Sequence, residues 1–258
     1  EEVVGLSHRI STVEVPSTHA ILSIFEADFK DIETCQKTSQ DDLEFLNKLS
    51  KETRQQEDRH YVMPLPFKRT KTRLPNNKKA AEVRLEHLKR KLMKDENYKN
   101  DYFNFMEEMI KRGDAEIAPL TTDEAELWYI PHHGVYHPKK NKLRVVFDCS
   151  SRFKGTSLNE NLLSGPDLTN TMVGVLIRFR KFKYAIMCDI EKMFHQFKVP
   201  ENDRDYLRFL WWEKPHTSLQ YPTEYRMTVH LFGATSSPGC ANYGLKTVAV
   251  DQAAEGQE

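Results

Sequence analysis

The chain has 258 residues, of which 39% are hydrophobic and 29% are charged, and its formal net charge at pH 7 is zero. This length allows one large or two small domains, each with its own core. No run approaches the roughly 18 apolar residues of a membrane-spanning helix, which argues against a membrane protein. The four cysteines are far apart and form no C-x-x-C motif, so we expect reduced thiols and an intracellular, cytoplasmic protein. They are Cys35, Cys149, Cys188 and Cys240.

The zero net charge hides an uneven distribution of charge along the chain. Residues 1–60 carry thirteen acidic and seven basic side chains, whereas residues 68–94 carry eleven basic and two acidic ones. Residues 139–183 are also basic, with ten Lys or Arg side chains against three acidic ones. Two basic blocks in a neutral chain indicate a local surface for a polyanion. For the first block, a solvated helix face is an equally good interpretation.

Helical patterns dominate the first half of the chain. A helix is predicted from Thr38 to about Asp58, with leucines 43, 46 and 49 on one face. The proline-rich stretch 61–77 reads as an extended linker. A second helix follows with Ala81, Leu85, Leu88 and Leu92 as its apolar stripe. A third helix should end at Gly113 and turn inward the side chains Tyr98, Tyr102, Phe105, Met106 and Met109.

Strands then alternate with helices, so the pattern predicts an α+β fold. Residues 126–138 and 142–150 predict two strands around the turn PKKN, and a helix should run from Asp167 to about Phe182. Three further strands are expected at 184–188, 207–212 and 224–232, with PENDRD as a turn between the first two. A last helix is expected from Gly239 to Val250. His132, His133 and His137 are interpreted as loop histidines, with a zinc site as the alternative.

The strand at 184–188 is unusual because its apolar run, YAIMC, ends abruptly in Asp189. An unpaired buried carboxylate costs several kcal/mol, so such a group is usually paired, protonated or bound to a metal ion. The simpler alternative is a strand that ends at a solvated loop, with Asp189 facing water. The pattern alone leaves both interpretations open.

Several stretches resemble, in order and spacing, the reverse transcriptases of BEL/Pao LTR retrotransposons. KLRVVFDCS (142–150), AIMCDIEKMF (185–194) and HLFGATSSPGCANY (230–243) are similar to the family's fingers hairpin, motif A and motif B. LPFK (65–68), YIPHHGVYHP (129–138) and SLNENLLSGPDLTN (157–170) also look like that family. The resemblance runs from about Tyr61 to Lys246. It implies a right-hand polymerase, with fingers and a partial palm preceded by helical segments, and an RNA-directed DNA polymerase activity.

The resemblance assigns Asp189 as the catalytic, metal-binding carboxylate, with the carbonyl of Ile190 as a second ligand. The cofactor would be Mg²⁺ or Mn²⁺, since two such ions clamp the attacking and leaving oxygens during nucleotidyl transfer. Carboxylates at strand ends are the hard oxygen ligands that these ions prefer. Phe194 matches the steric gate, which favours deoxynucleotides. Without the resemblance, Phe194 would be read as a plain core aromatic.

The same resemblance places other residues around a dNTP and a template–primer. Arg144 and Asp148 match the hairpin's R-x-x-x-D, with Arg144 against the triphosphate and Asp148 structural. Lys140 or Lys142 would add a second phosphate contact. Phe232 and Gly233 match the motif B residues of the nucleotide pocket, where glycine allows close approach of the backbone. The RNA/DNA hybrid would contact the basic helix at 77–94 and the stretch RFRKFK, through Arg178 and Arg180.

The family's second carboxylate pair, in a Y-x-D-D motif, is absent from the sequence. The only Asp-Asp is Asp41-Asp42, far upstream. The chain begins with Glu1 rather than Met, which suggests a fragment. Residues 1–60 would lead from a protease region, and residues 61–258 would be fingers and the N-terminal part of the palm, truncated before Y-x-D-D. The chain alone is therefore not expected to extend a primer.

The partners expected from the resemblance are a template–primer, dNTPs and the remainder of a pol polyprotein, with its missing palm, RNase H and integrase. Its setting would be the cytoplasm or a virus-like particle. The alternative function is a catalytically dead or co-opted remnant that binds nucleic acid. A degenerate copy with marginal folding is a further alternative.

Overall fold

The computed structural model describes residues 39–71, 73–121, 126–138, 142–181, 183–212 and 221–255. All of them except Ser39 belong to one compact unit, Gln40–Glu258. Two short 3-10 turns, Met193–Gln196 and Asp205–Leu207, accompany the helices. The helices are α1 (Gln40–Glu52), α2 (Lys78–Lys94), α3 (Glu96–Lys111), α4 (Leu158–Asn161), α5 (Met172–Phe179), α6 (Glu201–Arg204) and α7 (Ser237–Glu255).

Eight short strands in the described ranges form three small sheets. In the first sheet β2 lies between β1 and β6, antiparallel to β1 and parallel to β6. In the second, β8 lies between β3 and β7 and is antiparallel to both. The third is the β4–β5 hairpin, in which Val135 is opposite Arg144. The strands are β1 (Arg54–Gln55), β2 (Tyr61–Val62), β3 (Ala115–Ile117), β4 (His132–Tyr136), β5 (Leu143–Phe147), β6 (Phe197–Lys198), β7 (Arg208–Trp211) and β8 (Thr223–Met227).

The main core packs α2 and α3 against the β4–β5 hairpin and β7. Ala81, Leu85, Leu88 and Leu92 are all buried in it, which confirms the apolar stripe of α2. On α3 the buried side chains include Phe103, whereas Phe105 is only half-buried. The helix ends as predicted at Gly113, whose φ of 81° suits glycine and closes a Schellman motif.

A second core surrounds α1 and corrects two predictions. Phe45 and Leu49 of α1 are fully buried, whereas Leu43 is 50% exposed, so leucines 43, 46 and 49 do not form the inner face. The stretch 61–77 is not a linker: Tyr61, Val62, Met63, Leu65 and Leu74 are all buried. Residues 61–66 are buried without a break, and this burial of apolar surface outweighs the prolines there. Helix α1 ends at Glu52 rather than near Asp58.

The strand predicted at 184–188 does not form. Residues 184–190 belong to no helix or strand, and Tyr184, Ile186 and Met187 are 80–91% exposed. A strand requires a hydrogen-bonded neighbour, and none of the described strands lies beside this segment. The preceding helix, α5, is shorter than predicted because it begins at Met172, after the cap provided by Thr171.

Other boundaries differ by smaller amounts. The PENDRD stretch forms α6 and a 3-10 turn, β7 and β8 are shorter than predicted, and α7 extends to Glu255. The fold class is mixed α+β, as expected. No helix within the described ranges is both long enough and apolar enough to cross a membrane. Of the predicted leader, residues 1–60, residues 1–38 lie outside the described residues, and α1 packs on residues downstream of it.

The packing of Phe45 generates a stability prediction. Its ring lies where side chains at Gly165 and Gly239 would otherwise project, so removing it leaves a cavity between three segments. We expect Phe45→Ala to lower the free energy of unfolding by about 3–5 kcal/mol in urea denaturation. Leu43→Ala, on the same helix but half exposed, should cost about 0.5 kcal/mol. Equal losses of unfolding free energy in the two variants would contradict the burial of Phe45 in the second core.

Candidate functional site

The loop that follows β8 is pressed against the end of β5 at Gly233. Gly233 has a φ of 122°, a conformation that side-chain-bearing residues rarely adopt. A Cβ at this position would overlap the carbonyl oxygen of Phe147, the last residue of β5, and would lie 3.9 Å from the sulfur of Cys149. The absence of a side chain at Gly233 is therefore what lets the two segments meet.

Asn159, in the short helix α4, links the two segments through its side-chain amide. Its Nδ2 donates to the carbonyl of Gly233 at 3.0 Å and to the hydroxyl of Ser150 at 3.1 Å. Its Oδ1 accepts from the backbone N–H of Thr235 at 2.9 Å. Sequence analysis missed this residue, although it lies within the SLNENLLS stretch of the family resemblance. One side chain thus satisfies the loop's backbone on both sides of Ala234.

The loop also brings Phe232 next to Phe194. Their ring centroids are 5.5 Å apart with the planes tilted by 41°. Phe194 is half-buried in the 3-10 turn Met193–Gln196, whereas Phe232 is 65% exposed. The turn is entered through Lys192, whose positive φ of 50° reverses the chain just after Ile190. The two predicted pocket aromatics therefore touch, although 38 residues separate them in sequence.

Arg144 and Asp148 lie on β5 and just beyond it, with different surroundings. Arg144 is exposed, and within the described residues its guanidinium has no carboxylate partner. Asp148 lies 3.5 Å from the guanidinium of Arg84 on α2, which ties the strand end to the helix and agrees with a structural role. Lys142 is exposed, and Lys140 lies outside the described residues. Arg144 and Lys142 are thus exposed cations of the described part of the hairpin.

Asp189 and Ile190 are separate from this contact network. Asp189 is exposed, and Ile190 is 41% exposed. No group of three His, Cys, Asp or Glu side chains in the described part of the chain is arranged to hold a metal ion. A single solvated carboxylate with a neighbouring carbonyl has the oxygen chemistry that Mg²⁺ prefers, but it is an incomplete ligand set. In this structure Asp189 faces water.

The predicted nucleic-acid contacts are solvent-exposed. Arg178 and Arg180 are exposed at the end of α5, and Lys181 and Lys183 follow them. On α2 the face opposite the apolar stripe exposes Lys79, Arg84, Arg90, Lys91 and Lys94. Lys91 lies 4.0 Å from the ring centroid of Tyr98, so its ammonium group is held by a cation–π contact. Both basic blocks therefore form positive surfaces.

An unpredicted ionic cluster holds the 3-10 turn that carries Phe194. His195 Nδ1 lies 2.9 Å from Asp114 Oδ2, and Arg112 donates to the same oxygen from Nε at 3.0 Å and Nη2 at 2.6 Å. The backbone of Asp114 is fixed in turn by Thr228 at 2.9 Å. Beside the cluster lies a cavity of about 370 Å³, also lined by His60 and residues of the turn.

Asp114 is held ionised despite its partial burial. Burial raises the pKa of its carboxyl, but the hydrogen bonds from His195 and Arg112 outweigh this and lower the pKa below the usual 3.8. The cluster spans the end of α3 and the turn, so no short sequence motif reveals it.

Two other titratable groups near the hairpin are structural. His132 is buried on β4, so its prediction as a loop histidine is wrong. One ring nitrogen lies 2.6 Å from the Tyr102 hydroxyl and the other 3.0 Å from the Leu210 carbonyl. Burial lowers its pKa to about 4, and with both nitrogens engaged it cannot ligate zinc.

Burial raises the pKa of the Cys149 thiol, which is free, as are Cys188 and Cys240. Cys35 lies outside the described residues.

Gly233 and Gly155 form a matched pair for testing the close approach. Both have positive φ, but nothing lies within 4 Å of a Cβ placed at Gly155. Gly155→Ala should lower the free energy of unfolding by about 1–2 kcal/mol through backbone strain alone. Gly233→Ala adds the clash with Phe147 and should cost at least about 3 kcal/mol. Urea denaturation would measure both; a Gly233→Ala loss no larger than that of Gly155→Ala would contradict the contact.

The Asp114 cluster predicts a pH-dependent stability. Because the pKa of Asp114 is lower in the folded chain than in the unfolded chain, the cluster stabilises the fold above the unfolded pKa. That stabilisation is lost as the pH falls through the folded pKa. Asp114→Asn should therefore lower the free energy of unfolding by roughly 1–3 kcal/mol at pH 7, with a difference from wild type that shrinks below about pH 4. Glu107→Gln, at an exposed position on α3, is the control; an Asp114→Asn difference that stays constant from pH 7 to 3 would refute the linkage.

No protein-family model matches this chain, and no curated protein is significantly similar to it. The resemblance to reverse transcriptases therefore rests on the sequence motifs.

Proposed function

We propose that the chain carries the fingers and the N-terminal part of the palm of an RNA-directed DNA polymerase of the BEL/Pao retrotransposon type. Its reaction would be nucleotidyl transfer from a dNTP onto a primer held on an RNA or DNA template. Its remaining partners would be the rest of a pol polyprotein.

The observation that carries this assignment is the convergence of three motif stretches. The hairpin, the turn after Asp189 and the loop after β8 are far apart in sequence. They meet where Gly233 contacts the end of β5 and Phe232 contacts Phe194. A chance resemblance of motifs gives no reason for these particular residues to be neighbours. The contact therefore supports a common pocket.

The residues around this contact have chemistry suited to a deoxynucleoside triphosphate. Arg144 presents an exposed guanidinium, which can bind phosphate oxygens through two parallel hydrogen bonds. Phe194 and Phe232 offer apolar ring surface for a sugar and a base. Phe194, held in its turn by the His195–Asp114 contact, would exclude a ribose 2′-hydroxyl by occupying its space. The exposed backbone next to Gly233 can approach a ligand closely because no side chain intervenes.

Asp189 and the carbonyl of Ile190 would be the protein ligands of Mg²⁺ or Mn²⁺. When bound, such an ion would neutralise phosphate charge and polarise the attacked phosphorus. Asp189 is exposed and carries no ion pair within the described residues, so its oxygens are available. A second acidic pair is needed to hold two ions in register, and no Y-x-D-D occurs in the sequence. The chain alone is therefore expected to bind substrates without extending a primer.

The positive surfaces would bind the template–primer. Arg178 and Arg180 on α5 and the cationic face of α2 are exposed and can neutralise phosphates. These surfaces also support the second candidate function, a nucleic-acid-binding remnant without catalysis. The two candidates differ in one respect, because only a polymerase pocket couples nucleic-acid binding to the identity of the nucleotide.

Templated nucleotide binding tests the assignment. Fluorescence anisotropy of a labelled RNA/DNA primer–template would be measured with Mg²⁺, with and without the complementary dNTP. We expect the complementary dNTP to tighten binding, and a mismatched dNTP or the matching NTP to have no effect. Arg144→Gln should remove a charged contact and weaken the dNTP effect roughly tenfold or more. Phe194→Val should let the NTP act as well as the dNTP.

Controls separate these effects from folding and from general charge. Arg152→Gln changes an exposed arginine near the hairpin that pairs with Glu160, and should leave the dNTP effect intact. Binding that falls steeply with salt but ignores nucleotide identity would replace the polymerase with the binding remnant. Salt-independent binding would exclude both. Primer extension by the chain that Asp189→Ala abolishes would show that the expected inactivity is wrong.

A further inference from the structure

The 3-10 turn Met193–Gln196, which carries Phe194, is attached to distant parts of the fold through one polar side chain. Among the described residues, its only hydrogen bond to a distant element joins His195 Nδ1 to Asp114 Oδ2, at 2.9 Å. Its other hydrogen bonds are local: the His195 N–H at 2.8 Å and Gln196 Nε2 at 2.9 Å donate to the carbonyls of residues 192 and 191. The His195–Asp114 contact is therefore the polar anchor of the turn.

Apolar packing by itself leaves the turn room to move. Met193 and Phe194 are only partly buried against the second core, and the ring that Phe194 touches, Phe232, is 65% exposed. The cavity of about 370 Å³ beside the turn is lined by His195, Gln196 and the two residues that lead into the turn. Protein interiors contain few voids larger than a water molecule, so a space of this size is one into which the turn can shift. The anchor is what opposes such a shift.

Asp114 is a rigid point of attachment because both its carboxylate and its backbone are held. Arg112 donates to Oδ2 from Nε at 3.0 Å and from Nη2 at 2.6 Å. The Asp114 carbonyl accepts from the Thr228 N–H, just beyond β8, at 2.9 Å. The whole residue is only 8% exposed. An imidazole bonded to a carboxylate fixed in this way is held in one orientation. Because Phe194 directly precedes His195, its ring is held by the same anchor.

We propose that Asp114 and His195 are positioning residues that determine how strongly the site prefers deoxyribonucleotides to ribonucleotides. This inference rests on the proposed function, in which the Phe194 ring occupies the space of a ribose 2′-hydroxyl. Repulsion between two atoms falls steeply as they separate, so a ring that can retreat by about 1 Å no longer excludes the hydroxyl. The sequence motifs assign no role to either residue. Their contact is formed only in the tertiary structure, because 81 residues separate them.

Nucleotide selectivity in the anisotropy assay tests the anchor. The selectivity is the ratio of the NTP and dNTP concentrations that half-maximally tighten binding of the primer–template. His195→Leu fills the space but removes the donor to Asp114, and should lower this ratio roughly tenfold or more, towards that of Phe194→Val. The half-maximal dNTP concentration itself should change less than about threefold. His195→Asn keeps an amide N–H near the position of Nδ1, and should retain the original selectivity to within about threefold.

The partner residue and a stability control complete the assay. Asp114→Ala should reproduce the selectivity of His195→Leu. The double variant should be no less selective than either single variant, because both changes remove the same contact. Gly155→Ala is the control for lost stability, since its backbone strain lies outside the cluster, and it should leave the selectivity unchanged.

Amide hydrogen exchange tests the anchor without any nucleotide. The Phe197 N–H donates to the Phe194 carbonyl and so reports on the opening of the turn. It should exchange roughly tenfold faster or more in His195→Leu than in the original chain, and at nearly the original rate in His195→Asn. An unchanged exchange rate in His195→Leu would overturn the anchor whatever the nucleotide result.

The binding outcomes separate this inference from the proposed function. If the complementary dNTP has no effect on the original chain, the polymerase assignment fails and the selectivity role fails with it. If the dNTP acts but His195→Leu and Asp114→Ala keep the original selectivity, only the role of these two residues is overturned. Equal weakening of the dNTP and NTP effects would also overturn it, because the contact would then be merely structural.

Discussion

The arrangement of the candidate site depends on one close approach, in which the backbone at Gly233 lies against the last carbonyl of β5. Any side chain would separate the loop after β8 from the hairpin and remove the alignment of Phe232 with Phe194. Asn159 stabilises the same approach, since its amide bonds to the loop on both sides of Ala234. The close fit of the two backbones and the hydrogen bonds of Asn159 thus both stabilise this contact. They offset the free energy that the positive φ of Gly233 costs.

The rest of the molecule falls into a well-packed part and an uncovered part. The α2–α3 pair with the hairpin and β7 forms one core, and α1 with β2, β6 and α7 forms another. Neither core includes α5 or residues 184–190. These two segments expose a series of large apolar side chains. The hydrophobic effect gives such a stretch a strong tendency to acquire a partner. This one feature accounts for the solvated Asp189, because none of the described strands lies beside the segment that precedes it.

The charged side chains show the same division between a packed part and an exposed part. Within the packed part, charged side chains pair closely, as in the Asp114 cluster that anchors the turn of Phe194. At the surface, Arg144, Asp189 and the cations of α2 and α5 are exposed. Arg84 and Lys91 belong to both sets, because they contact Asp148 and Tyr98. Arg144, Arg178 and Arg180, in contrast, have no such contact in the described part of the chain.

The sequence by itself determined the α+β class, the stripe of α2, most of the stripe of α3 and the stop at Gly113, because each depends on local periodicity or on a short motif. The site residues also come from short motifs, and their roles stay predictions. The sequence did not determine that the 61–77 stretch is buried, or which face of α1 packs on the core. Nor did it determine that the strand predicted before Asp189 does not form. These depend on which segments become neighbours, since a strand needs a partner and a proline is tolerated wherever its surroundings bury apolar surface. Asn159 and the Asp114–His195 contact were likewise decided only by tertiary structure, because their partners lie 74 to 81 residues away.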